Sequence, residues 1–151
     1  MIRPASLADV SAICQLTREE LGYEAAEDLV RQQLTKMLHD ESHLVFVAVE
    51  ETSQKVVGYA HAAPYDCLYF EPLLNLLALA VSENNQRQGH ARALMGKLAD
   101  VAAEKGLAGI RINSGIGRLG AHAFYRSLVC VEKADQKRFF LKVGKDHEGN
   151  D

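Results

Sequence analysis

The chain has 151 residues, 48% hydrophobic and 25% charged, with 17 Lys plus Arg against 20 Asp plus Glu for a formal charge of −3. That length lets folding bury roughly 68–70% of the unfolded chain's surface, so a core needs neither metal nor disulfide. The average composition excludes disorder and collagen-like repeats, and the slight acid excess speaks against nucleic acid, whose binders carry a basic surplus.

Cys14, Cys67 and Cys130 are odd in number, far apart and without CxxC spacing, so neither a disulfide framework nor a zinc site is expected. Of the six histidines only His39 and His43 stand at HxxxH spacing, in the polar cluster that ends the second helix, and no metal is predicted. The start, MIRPASLADV, has an Asp at position 9 and no apolar run, so neither a signal peptide nor an anchor is expected and the cytoplasm is the predicted location. The longest strongly apolar stretch, Leu73 to Val81, is about half of the ~20 residues that span a bilayer, so no membrane partner is expected.

In chain order, Met1 to Arg3 reads as a short strand, and Ser6 with Asp9 as a capping box that opens a helix. Val10, Ile13, Cys14, Leu16 and Leu21 approximate one helical face, and Gly22 stops the run. A second helix starts near Glu27, with Leu29, Val30, Leu34, Met37 and Leu38 at intervals of three to four. Leu44 to Val49 and Val56 to Ala62 form a hairpin around the polar EETSQK. Pro64 and Pro72 bracket an aromatic connection. Leu73 to Val81 is apolar on both faces, as in a central strand with helices on both sides. A helix from Gly89 to Lys105, a strand Gly109 to Asn113, a short helix Ala121 to Ser127 and a closing hairpin of Val129 to Val131 with Arg138 to Val143 complete the reading. One domain over 1–144 and a flexible tail over 145–151 are expected.

The turn Gln86-Arg87-Gln88-Gly89-His90-Ala91 follows a strand and opens a long helix. Backbone N–H groups at such a helix N-terminus hold anions. Gly89 and Ala91 let the backbone approach a phosphate closely, and Arg87 and Arg92 add charge. This predicts a pyrophosphate seat.

Here the chain resembles the GNAT superfamily of N-acetyltransferases. Their acetyl-CoA motif is Gln or Arg, two residues, Gly, one residue, then Gly or Ala, and Gln86, Gly89 and Ala91 match it. Ala121 to Leu128 (AHAFYRSL) is similar to the family's final-helix segment, and the order of elements agrees over nearly the whole chain. The resemblance implies an α/β (mixed α+β) fold, a GNAT-like central mixed, mostly antiparallel sheet with helices on both faces. It implies acetyl-CoA as cosubstrate, held by the backbone of Leu79, Ala80 and Val81 and by Gln86, Arg87, Gln88, Gly89, His90 and Ala91. Tyr125 would be the general acid for the departing thiolate. The acceptor would be a primary amine of a small molecule or peptide that attacks directly in a ternary complex. Relatives are often dimers, so a homodimer is admitted.

The sequence also departs from the family. Leu128-Val129-Cys130 replaces the usual Leu-Gly-Phe, and Arg118 stands where an Asn is common. The central strand has Asn75 and Leu77 where many relatives carry a basic Glu, so Glu71, Asp66, His61 and His122 stay as candidates for the base. Tyr65, Tyr69 and Phe70 line either an acceptor cleft or a packed flap, and Glu19, Glu20, Glu24, Glu27 and Asp28 either attract a cationic amine or form a solvated face. Two other functions compete. One is a non-catalytic CoA-binding module. The other is a dinucleotide-binding oxidoreductase, suggested by Gly115-Ile116-Gly117-Arg118-Leu119-Gly120, although too little chain follows it.

Overall fold

Ser6 and Asp9 set the entry into the first helix. The Ser6 N–H donates to Asp9 Oδ2 at 2.8 Å, the backward half of a capping box. In this computed structural model, which describes residues 1–114, 118–128 and 130–144, a single 3₁₀ turn over Leu7–Asp9 leads into α1 (Val10–Leu16). A wider π turn, Thr17–Leu21, continues it to Gly22. The Thr17 hydroxyl bonds back to the Ile13 carbonyl at 2.7 Å and meets the Tyr59 hydroxyl at 2.6 Å. Back-bonding of this kind loosens a helical turn.

Asp9 carries a second, tertiary duty. Strand β1 (Ile2–Pro4) precedes it, and the Arg3 guanidinium grips its carboxylate through Nη1–Oδ2 and Nη2–Oδ1 contacts of 2.9 Å each. The Asp9 side chain is only 4% exposed. Burial pushes its carboxyl up, but the Arg3 and Ser6 hydrogen bonds outweigh this and hold it below the usual range. Arg3→Met leaves a buried carboxylate without its cation, and is expected to lower stability by about 3 kcal/mol at pH 7, measured by urea unfolding. A depressed folded pKa gives stability that is present above the unfolded value and lost as pH falls, so the deficit should shrink in acid.

The remaining elements of the first unit, Met1–Asn113, are α2 (Glu27–Leu38), β2 (Leu44–Val49), β3 (Val56–Tyr65), β4 (Leu73–Val81), α3 (His90–Glu104) and β5 (Ile110–Ile112). They fall close to the predicted positions, with β3 running three residues further, through Pro64. The strands form one sheet in the order β1-β2-β3-β4-β5, antiparallel except for the β4–β5 pair. This is the mixed, mostly antiparallel sheet that was expected.

Strand alternation sorts the core into two layers. Val47, Val49, Tyr59 and Ala80 pack with Val10, Ile13, Cys14 and Leu16 of α1 and Leu34 of α2. The opposite face meets α3: Lys97 Nζ sits 5.6 Å from the centre of the Phe46 ring, and Leu94 lies beside Gly58. Gly58 allows the close approach of β3 and β4 at the end that matters for the site. A Cβ there would lie 2.9 Å from the Ala80 carbonyl oxygen and 3.1 Å from Val81 Cγ2.

The second unit comprises Ser114–Asp151. Its helix α4 (Leu119–Ser127) begins two residues before the predicted start. An exposed Arg126–Glu132 ion pair of 3.0 Å follows it, and such a pair contributes little to stability. The predicted closing hairpin is not found: residues 130–144 contain no strand, and Val129 lies outside the described residues. Its apolar residues Val131, Phe139, Phe140, Leu141 and Val143 are all exposed. A two-stranded hairpin is marginal without a packed face, and Lys133-Ala134-Asp135-Gln136-Lys137 lacks the Gly or Asn that favours a tight reversal. The predicted tail, 145–151, and the glycines at 115 and 117 also lie outside the described residues.

Candidate active site

Strand β4 changes its pairing at one residue. Ala62 faces Leu76 and His61 faces Ala78, so Leu77 is an extra residue in β4, a bulge. On the other edge, β4 pairs with β5 only at Leu74, Asn75 and Leu76. The bulge therefore sits where the two parallel strands stop pairing, and Leu77 is 50% exposed there.

The bulge also reverses which residues address the β5 edge. Before it, Leu74 donates its N–H to Gly109 on that side. After it, Ser82 donates to Val57 of β3. With strict alternation, Ala80 and Ala78 point their backbone groups at β3, while Leu79 and Val81 point theirs away from it. Gln86 confirms this direction, because its side-chain amide donates to the Val81 carbonyl at 3.1 Å. Of the predicted trio, Leu79 and Val81 thus offer backbone to the open edge, and Ala80 lies buried between them.

The turn that leads into α3 follows directly. A short 3₁₀ turn, Glu83–Asn85, is tied at several points: Ser82 Oγ to Asn85 Oδ1 at 2.5 Å, Asn85 Nδ2 to Glu50 at 2.6 Å, and the Glu83 N–H to the Glu20 carboxylate at 2.9 Å. Ser53, then Asn85, hold the Glu50 carboxyl below its usual range. Arg87 and Gly89 both take left-handed backbone, with φ of +64° and +87°. Gly89 is the N-cap of α3 and has no protein atom within 4 Å of where a Cβ would stand. Ala93 is the first residue to donate within the helix, to the Gly89 carbonyl, so the His90 and Ala91 amides project from the N-terminus as helix geometry requires. Gln86, Arg87, Gln88 and Gly89 are exposed, and His90 and Ala91 are half-buried.

A polar cluster lies further along the sheet face that carries Tyr59. Alternation places His61, Ala63 and Tyr65 on this face, and the register adds Asn75 and Arg111. Arg111 Nη1 donates to Asn75 Oδ1 at 3.2 Å, and its guanidinium carbon lies 4.6 Å from the centre of the Tyr65 ring. His43 Nδ1 and His61 Nε2 are 2.9 Å apart, so one ring donates and the other accepts. Burial, reinforced by the charge on His43, lowers the His61 pKa to about 4. Below the ordinary value of 6.5 the unfolded chain binds a proton that the folded His61 refuses. Stability should therefore fall as pH drops from about 6.5 to about 4, by on the order of 3 kcal/mol. Unfolding curves across this range check it, and His61→Gln should flatten the dependence.

Tyr125 lies on α4 in the second unit, half-buried, with the Phe124 ring 5.5 Å away. Burial pushes its phenol up, against a lowering by Arg118, and Cys130 adds to the rise. Tyr125 therefore keeps its proton at neutral pH. Asp66, Glu71, Tyr69 and Phe70 are exposed, Tyr69 and Phe70 stacking on each other at 4.7 Å. His122 is half-buried on α4. Glu19, Glu24, Glu27 and Asp28 are exposed, while Glu20 braces Glu83. Among the described residues, no group of three His, Cys, Asp or Glu is placed to hold a metal, and no helix is long and apolar enough to cross a membrane.

Sequence reasoning missed the Leu77 bulge, the His43–His61 pair and the Arg111 cluster. Only the last had a visible signal, an Arg at the centre of the otherwise apolar strand Ile110–Ile112.

Residues 10–128 match the acetyltransferase (GNAT) family. The chain belongs to this family. The GNAT assignment also removes the dinucleotide reading, and no second parallel strand follows α4 among the described residues. Human N-acetyltransferase 8 is 35% identical to this GNAT chain over 81 residues, which cover 53% of the chain and 36% of that protein. The match thus spans about a third of that relative's length. The structure of aminoglycoside 6'-N-acetyltransferase AAC(6')-Ih from Acinetobacter baumannii is similar with a TM-score of 0.82 at 19% identity, covering 95% of this chain and 99% of that one. Glucosamine-6-phosphate N-acetyltransferase from Arabidopsis thaliana gives a TM-score of 0.80 at 14% identity, with 94% and 98% covered. At these identities the likeness shows a shared fold.

Proposed function

We propose that this GNAT protein moves an acetyl group from acetyl-CoA to a primary amine by direct attack in a ternary complex. The observation that carries the reading is the end of β4–β5 pairing at the Leu77 bulge, followed twelve residues later by the exposed N-terminus of α3 at Gly89. The residues present fit acetyl-CoA. Gly89 leaves the space of a Cβ empty, the His90 and Ala91 amides and the Arg87 side chain suit a pyrophosphate, and the Leu79 and Val81 backbone suits a pantetheine amide.

When bound, acetyl-CoA supplies the thioester carbonyl and a thiolate leaving group. The Leu79 and Val81 backbone orients the carbonyl and stabilises charge that develops on its oxygen. Tyr125 holds a proton at its hydroxyl and gives it to the departing sulfur as the new C–N bond replaces C–S, and the proton lost from the attacking nitrogen returns to the phenolate through solvent. The family match runs across both units, from residue 10 to residue 128, and supports assigning Tyr125 to the same reaction as the cofactor seat. A single acetyltransferase domain over 1–144, a cytoplasmic location and a small-molecule or peptide acceptor complete the proposal.

Calorimetric titration tests the cofactor seat. Acetyl-CoA is expected to bind and NAD to give no heat, with ligand linkage raising stability by about 2.7 kcal/mol at a hundredfold excess over Kd. Binding of NAD in place of acetyl-CoA would overturn the reading.

A further inference from the structure

Arg111 is a half-buried cation held in one orientation from two sides. Asn75 Oδ1 takes a hydrogen bond from Nη1 at 3.2 Å, and the Tyr65 ring lies 4.6 Å from the guanidinium carbon. Neither partner is charged. Arg111 forms no ion pair among the described residues, where the acid-bearing pairs are Arg3–Asp9 and Arg126–Glu132. A guanidinium has five donors, and Asn75 uses one, so the planar fork that matches a carboxylate is still available. Stacking on an aromatic face pre-organises that fork and leaves less entropy to lose on binding.

Its position in the register gives this cation a purpose. The Asn75–Arg111 rung is the last but one before β4 and β5 cease to pair, and Leu77 begins the open edge two residues later. At a strand rise of about 3.3 Å per residue, the rung is about 7 Å from the start of that edge. A molecule whose amine reaches the edge from this face has the Arg111 fork a few bonds behind its nitrogen. Resting on the acetyltransferase reading above, we infer that Arg111, oriented by Asn75 and Tyr65, is a specificity determinant that selects amine acceptors bearing a carboxylate.

Matched pairs of acceptors test this: an amino acid against the amine that lacks its carboxyl group, over several side chains, with the full-length protein and saturating acetyl-CoA. The wild type is expected to favour the carboxylated member of the productive pair in kcat/KM by roughly 10- to 100-fold. Arg111→Gln should erase that preference by raising KM for the carboxylated member, with kcat and acetyl-CoA binding unchanged. Arg111→Lys, which keeps the charge and loses the fork, should recover part of it. Acetylation of both members at equal kcat/KM, or an equal loss for both in Arg111→Gln, would overturn the Arg111 assignment and leave the acetyltransferase reading standing. Transfer to no member of any pair would overturn both.

Discussion

Tyr125→Phe is expected to lower kcat by about 10²–10⁴-fold, the range for loss of a positioned general acid. The physical reason is a leaving group that departs far better as a thiol than as a free thiolate, and a phenol whose burial keeps it protonated. Removing one oxygen from a half-buried ring leaves the Phe124–Tyr125 packing in place, so the variant should fold and bind acetyl-CoA with near-normal affinity. The pH profile gives a second readout. Because the Tyr125 pKa is raised above 10.0, the alkaline fall of wild-type kcat should lie above that value and vanish in the variant. An unchanged kcat in Tyr125→Phe would remove Tyr125 from the reaction.

Gly89→Asp should weaken acetyl-CoA binding by at least about a hundredfold, through two effects. A φ of +87° is one that a side chain adopts only at a cost, about 1–2 kcal/mol, and the new carboxylate would stand against the phosphates at the N-terminus of α3. Gly89→Ala separates them. It bears the backbone cost and a methyl in the empty space but no charge, so it should fall between wild type and Gly89→Asp. Thermal unfolding without ligand should show only that backbone cost, about 1–2 kcal/mol, and to a similar extent in both variants, because the added Cβ meets open space. Equal acetyl-CoA affinity in all three proteins would place the cofactor elsewhere.

The parts of this molecule legible in the sequence are those fixed by local pattern. Helical spacing marked α2 and α3, a β-branched run marked β2, a run apolar on both faces marked β4, and Gln86-Gly89-Ala91 marked a helix N-terminus that the structure shows exposed. The features that were not legible depend on contacts between distant residues. The Leu77 bulge arises from how β4 registers against β3 and β5, and nothing in LLNLLALAV distinguishes the extra residue. His43 and His61 are eighteen residues apart and meet only because β2 and β3 fold back on each other. Asp9 was read as half of a capping box, which it is, but its grip on Arg3 needs β1 and the first turn side by side. The closing hairpin was misread because apolar residues at 131 and 139–143 fit a strand pattern, whereas strand formation requires a partner face that the described residues do not supply. For the candidate site, the exposed helix N-terminus at Gly89 was therefore readable, while the face carrying Asn75, Tyr65 and Arg111 needed the sheet to be assembled.

Transfer of the acetyl group to an amine is measured by the release of CoA thiol on mixing the protein with acetyl-CoA and a panel of primary amines. The acetylated amine is quantified by mass spectrometry in the same samples. Thiol release is expected to depend on the amine, to match the acetylated product one to one and to leave no acetyl group on the protein. Acetyl-CoA binding with no amine-dependent release across the panel would contradict it and make this chain a CoA-binding module.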